Sequence, residues 1–107
     1  FGFVPDCGAI CEFIGRGAGR QPKFIGKPDP TMIRLALAQT GCLPEETLMV
    51  GDRLYTDIAC GVNAGVDTVL VLTGEATAQD AAVSATPPTL ICRDMAELLE
   101  RIKEARA

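Results

Sequence analysis

Lys27, Asp52 and Asp57 are the side chains of this sequence whose surroundings suit chemistry. Glycine marks both places: Gly26-Lys27-Pro28 in one, Gly51-Asp52-Arg53-Leu54-Tyr55-Thr56-Asp57 in the other. A carboxylate just past a strand end, with a second one in the first turn of the next helix, suits Mg2+, which takes a few carboxylate oxygens and keeps several waters. A lysine beside them supplies a point charge for phosphate oxygens. Gly51 lets the backbone turn and approach a ligand with no Cβ in the way. Each residue alone has a plainer role: Asp52 as a turn cap, Asp57 against a helix dipole, Lys27 as a solvated side chain. Their arrival at one sheet edge favours a shared site.

The rest of the composition bounds that chemistry. With no histidine, Ser-His and Cys-His nucleophilic pairs, zinc–histidine sites and imidazole acid–base catalysis are excluded. A formal net charge of −4 and a pI near 4.7 argue against nucleic acid as a partner. The chain is 48% hydrophobic, too apolar for a disordered tail, and its 107 residues make one small domain or a piece of a larger one. No apolar run approaches the roughly 20 residues of a membrane span, so no membrane role is expected. Cys7, Cys11, Cys42, Cys60 and Cys92 are odd in number and contain no Cys-x-x-Cys. They read as small buried side chains in a reducing compartment, the cytoplasm, although Cys7 and Cys11 would share a helix face on which a metal is conceivable.

These residues need a scaffold. Cys7–Ile14 reads as a helix ended by Gly15-Arg16-Gly17-Ala18-Gly19, and Lys23–Ile25 as a short strand. Asp29 as N-cap with Pro30 behind it opens a helix running to Thr40, stopped by Gly41. Thr47–Val50 reads as a strand, Thr56–Asn63 as a helix closed by Gly65, and Thr68–Leu72 as the strongest strand. That last run is apolar without alternation, the pattern of a strand covered on both faces. Thr89–Cys92 reads as a final strand after Pro87-Pro88. A helix capped by Asp94 then carries the stripe Met95, Leu98, Leu99, Ile102 and an exposed Glu97–Arg101 pair. The alternation predicts an α/β fold with a doubly wound, Rossmann-like parallel sheet. Ligands of such sheets bind beyond the carboxyl ends of the strands, where Lys27 is expected beside Asp52.

On these residues the sequence resembles the C-terminal half of a haloacid-dehalogenase (HAD)-like phosphatase. The motif Gly-Asp-Arg-Leu-x-Thr-Asp-Ile at 51–58, preceded by Gly26-Lys27-Pro28, is closest to the NagD / 4-nitrophenylphosphatase branch. Gly61-Val62-Asn63-Ala64-Gly65 and Val69-Leu70-Val71-Leu72-Thr73-Gly74 fit that branch, and Pro5–Ile10 resembles the last helix of its cap domain. The resemblance implies residues 1–21 as the end of a cap returning to the core and 22–107 as the C-terminal half of the HAD-like core. It also implies phosphoryl transfer to an aspartate and hydrolysis of the phosphoaspartyl enzyme. Asp52 would be the Mg2+ ligand, Asp57 the second acid, supporting the metal directly or through water, and Lys27 the phosphate holder. Thr56 would neighbour the site. The substrate would be a small phosphorylated metabolite.

The family's nucleophile lies in an Asp-x-Asp-Gly motif, and the seven aspartates here contain no Asp-x-Asp. The chain also starts Phe1-Gly2-Phe3 without an initiator methionine. Both fit the tail of a longer enzyme, inactive alone. A half-fold of this kind would leave apolar strand faces open and favour association, a homodimer included. The competing reading is a non-catalytic phosphate- or partner-binding module. A phosphoacceptor receiver domain fits less well, because receivers place their lysine after the acceptor aspartate. Gly15-x-Gly17-x-Gly19 reads as a flexible turn and Arg16, Arg20 and Lys23 as a solvated face. Tyr55 would line the pocket or pack on the following helix.

Overall fold

The unbroken run Thr68-Val69-Leu70-Val71 lies where such a run must, in the middle of the sheet. The computed structural model describes residues 4–107, so Phe1-Gly2-Phe3 lies outside the described residues. Strand β2 (Asp67–Val71) is flanked by β1 (Leu48–Gly51) and β3 (Leu90–Cys92), both parallel to it. Val69 stands opposite Val50 on one side and Leu90 on the other. Alternate residues of β2 feed two cores. Leu70 packs with Ile58, Ala76 and Ala81 on one face, while Val69 and Val71 pack with Cys92 and Leu98 on the other. Helices α3 (Ala59–Ala64) and α4 (Ala78–Ala82) cover the Leu70 face, and α5 (Met95–Arg106) covers the opposite one. Layers on both sides of a parallel sheet are the doubly wound arrangement expected.

Capping sets the helix limits. The Asp94 carboxylate accepts from Glu97 N–H at 2.8 Å and opens α5. The N-cap of α2 (Thr31–Thr40) is Pro30, one residue later than the Asp29 expected. Asp29 sits just outside and accepts from Thr31 N–H at 2.8 Å, and the helix ends at Gly41 with φ 72°. In α5, Leu98 is buried and Ile102 half-buried, whereas Met95 and Leu99 face solvent. Glu97 takes two guanidiniums, from Arg101 and from Arg93, in addition to the Arg93 N–H. That N–H foremost, then the two arginines, draws its carboxyl down to about 2.

Several elements depart from the sequence expectation. Lys23–Ile25 forms no strand: a three-residue strand is held only by its ladder, and this segment joins no strand, leaving Phe24 and Ile25 about half exposed. Helix α1 (Cys7–Ala18) does not stop at Ile14 but runs through Gly15 and Gly17 to a left-handed cap at Gly19. Gly15 is needed there, because a Cβ would meet the Arg20 carbonyl. The apolar face of α1 is not packed on the sheet, with Phe13 79% exposed. The radius of gyration, 16.7 Å, accordingly exceeds the roughly 13 Å of a compact chain this size. Residues Leu54–Ile58 form a single π-helical turn before α3, so the helix expected from Thr56 begins in a wider coil. Helix α4 was not expected; a reciprocal box between Thr77 and Asp80 caps it. Of the cysteines, only Cys60 and Cys92 are buried, while Cys7 and Cys42 are exposed and Cys11 is half-buried. Among the described residues no helix is long and apolar enough to cross a membrane.

The sheet-to-helix contact is tightest at Gly61, where a Cβ would run into Thr68 Cγ2 and Met49 Cβ. Gly61→Ala should therefore destabilise the fold by about 1–3 kcal/mol, and Leu70→Ala by about 2–5 kcal/mol. Urea denaturation measures both, and a wild-type midpoint for Gly61→Ala would contradict the close approach.

Candidate functional site

Lys27 reaches the carboxyl edge of the sheet on a turn, not on a strand. The turn is closed by Asp29 N–H donating to Gly26 O at 3.0 Å. Two α3 side chains fix it from below. Cys60 Sγ donates to Asp29 O at 3.3 Å, and Asn63 Nδ2 donates to Pro28 O at 3.1 Å. Burial raises the Cys60 thiol, which keeps it a protonated donor. Positions 60 and 63 are three apart, so a single helix face grips two consecutive carbonyls.

Held this way, the Lys27 ammonium donates to Asp57 Oδ1. The Asp57 side chain is 6% exposed and that of Lys27 46%, so the carboxylate is enclosed and the ammonium faces outward. Asp57 Oδ2 accepts from Arg53 N–H at 3.2 Å. Its Cβ sits directly over Gly51, the last residue of β1, where any side chain would overlap it. Burial by itself would raise this carboxyl. The Lys27 ammonium and the Arg53 and Asp52 N–H groups outweigh burial and hold it below the usual aspartate value.

Asp52 stands next to this pair at the end of β1. Its Oδ2 accepts from Glu75 N–H at 3.2 Å, and its carbonyl accepts from Ala76 N–H at 3.2 Å. Gly74 lies against the carboxylate so closely that a Cβ there would occupy its place. Glu75 turns back over the loop: its Oε2 lies 2.7 Å from Arg53 Nε, and Tyr55 Oη donates to it at 2.9 and 3.1 Å. The bond to Glu75, with partial burial and the Glu75 charge, raises the Tyr55 phenol.

The three residues singled out in the sequence therefore meet at one edge. Of the two carboxylates it is Asp57 that pairs with Lys27, because Asp57 is the one taken out of water and the one that needs a cation. Thr56 is half-buried in the π turn between Tyr55 and Asp57. Cys60, Asn63, Gly74 and Glu75 were not assigned to the site. The first two carried a signal in their shared helix face, but Glu75 meets Asp52, Arg53 and Tyr55 only through the fold. Cys7 and Cys11 do lie together, with Sγ atoms 4.0 Å apart. Among the described residues, however, no group of three or more cysteines and carboxylates is placed to hold a metal.

A strand end carrying Asp52 and Asp57, a turn-borne lysine and a doubly wound sheet define a HAD-type core. The family described as HAD-hydrolase-like matches residues 24–98, and the chain belongs to it. The chain is similar to NagD-type phosphatases. It is 43% identical over 97 residues to the ribonucleotide monophosphatase NagD of Escherichia coli K12, covering 91% of this chain and 39% of that protein. The solved structure of NagD from E. coli K-12 superposes with a TM-score of 0.78 at 44% identity, over 90% of this chain and 38% of that one. A 4-nitrophenylphosphatase from Thermotoga maritima gives 0.76 at 41% identity, over 91% and 38%. A glycerol phosphate phosphatase from Mycobacterium tuberculosis, in complex with calcium, gives 0.76 at 34%, over 91% and 29%. The chain thus spans about two-fifths of the length of the curated NagD protein it matches.

The folded value of Asp57 lies below its unfolded one, about 3.9. Its stabilisation is therefore present above that pH and is lost as pH falls through the folded value. Lys27→Met removes the ammonium and should cost about 1–2 kcal/mol at pH 7, less than a fully buried pair because the lysine is half exposed. It should also flatten the loss of stability between pH 5 and pH 2. Urea denaturation across that range checks both, and an acid limb as steep as the wild type's would remove Lys27 as the partner that keeps Asp57 charged.

Proposed function

We propose that this chain carries the metal and lysine half of a phosphatase site that hydrolyses small phosphate monoesters through a phosphoaspartyl intermediate. Residues 22–107 are read as the C-terminal half of the core and 1–21 as the end of a cap. The observation that carries the proposal is the outward-facing Lys27 ammonium, anchored on the enclosed Asp57 and set beside Asp52 at the carboxyl end of β1. The relatives' names, all phosphatases, support the reaction class.

The donor set fits Mg2+. The carboxylates supply hard oxygen donors, with no thiol or imidazole among them. Asp52 has one oxygen tied to Glu75 N–H, and among the described residues no hydrogen bond occupies the other. Both oxygens of Asp57 are engaged, by Lys27 and by Arg53 N–H, which suits support through water better than direct ligation. Asp52 would hold the ion directly and Asp57 would support it through water, with the other oxygen donors coming from water, phosphate and the nucleophile. Bound there, Mg2+ would neutralise charge on the phosphoryl group. Lys27 would direct its remaining N–H bonds to phosphate oxygens and to the nucleophile, holding both in place. Asp57 keeps the ammonium aimed. The nucleophilic aspartate itself is not supplied by any Asp-x-Asp of this chain.

In the complete enzyme, Asp52→Asn should lower Mg2+-dependent kcat/KM on a small phosphate ester by on the order of 100-fold or more, and Lys27→Ala by about 10²–10³-fold. Steady-state hydrolysis with Mg2+ varied is the measurement. Wild-type turnover in Asp52→Asn would sink the assignment. Binding of Mg2+ and phosphate with no turnover in the complete protein would instead make it a binding module.

A further inference from the structure

Glu75 makes bonds from both ends, and the two ends serve different partners. Its N–H holds Asp52 Oδ2 at 3.2 Å, and the next N–H, that of Ala76, holds the Asp52 carbonyl at 3.2 Å. Its carboxylate is gripped by Arg53 Nε at 2.7 Å and by Tyr55 Oη at 2.9 and 3.1 Å. Arg53 and Tyr55 lie one and three residues after Asp52, so the loop after β2 is buckled onto the loop after β1 with Asp52 inside the buckle. Gly74 brings the two loops this close.

As a stability device the buckle contributes little. The Arg53 and Glu75 side chains are each about half exposed, and exposed ion pairs of this kind add almost nothing to folding. Its effect is geometric. A carboxylate free to rotate offers a cation either oxygen in many directions, whereas one oxygen tied to a fixed N–H leaves the other with a set direction. We propose that Glu75 is a positioning residue for the metal carboxylate: Arg53 and Tyr55 clamp its side chain so that its N–H orients Asp52. The proposal rests on the reading of Asp52 as the Mg2+ ligand. Nothing in the phosphatase reading requires an acid at position 75, so the clamp can fail while that reading stands.

The test uses the complete enzyme, 15N-labelled, titrated with MgCl2 and followed by NMR, for wild type, D52N, E75A, E75Q and Y55F. Mg2+ should shift the residue-52 and residue-75 amides of the wild type, and D52N should abolish the shifts. E75A should raise the apparent Kd about tenfold, and Y55F about two- to threefold. E75Q retains an acceptor for Tyr55 and Arg53 and should recover most of the affinity. Without metal, hydrogen exchange at the residue-75 and residue-76 amides should speed up about tenfold in E75A while the Leu70 amide stays as protected as in the wild type.

E75A and Y55F with wild-type Kd and exchange, alongside lost binding in D52N, overturn the clamp and leave Asp52 as the ligand. E75Q as weak as E75A overturns it too, because lost charge then explains the effect. Unchanged exchange in E75A has the same consequence. Mg2+ binding that survives D52N, or a wild type with no Mg2+ shift, overturns the ligand assignment and the clamp with it.

Discussion

The site depends on one enclosed carboxylate. Asp57 is packed over Gly51 with almost no contact with water, and a lone charge there would be costly. The fold therefore has to bring a cation to it, and the cation comes from a turn thirty residues earlier in the chain. Everything that steadies that turn, the Cys60 thiol and the Asn63 amide in particular, serves this pairing. The ammonium that results stays half exposed. Under the proposed function it is the side chain that would meet a phosphate, so burial and ion pair would also prepare the ligand site.

Much of the scaffold was legible in the sequence because it rests on local signals. The run Thr68–Val71 has no alternation and proves to be the central strand. Asp94 is a capping residue in fact, and Gly41 and Gly65 end their helices with positive φ, whereas the N-cap of α2 is Pro30 and not the Asp29 expected. The motif after β1 announced a site by the spacing of its two aspartates. What escaped was whatever the chain decides over distance. Lys23–Ile25 has strand composition but joins no ladder. Five residues rich in alanine form α4 without any apolar period, relying on the Thr77–Asp80 box.

The choice between Asp52 and Asp57 as partner of Lys27 shows why spacing has a limit. Both carboxylates lie at the same strand end, and nothing in their order says which one is enclosed. That depends on the π turn at Leu54–Ile58, which carries Asp57 back over Gly51 at the strand end. Glu75 was unreadable for the same reason. Its partners lie 20 to 23 residues away and are met only when β1 and β2 stand side by side.

The two grips on the Lys27 turn also isolate it mechanically. They take hold of the backbone at Pro28 and Asp29, downstream of the irregular stretch that leads out of α1. Helix α1 is not packed on the sheet, so the lysine takes its position from α3 and not from the helix that precedes it in the chain.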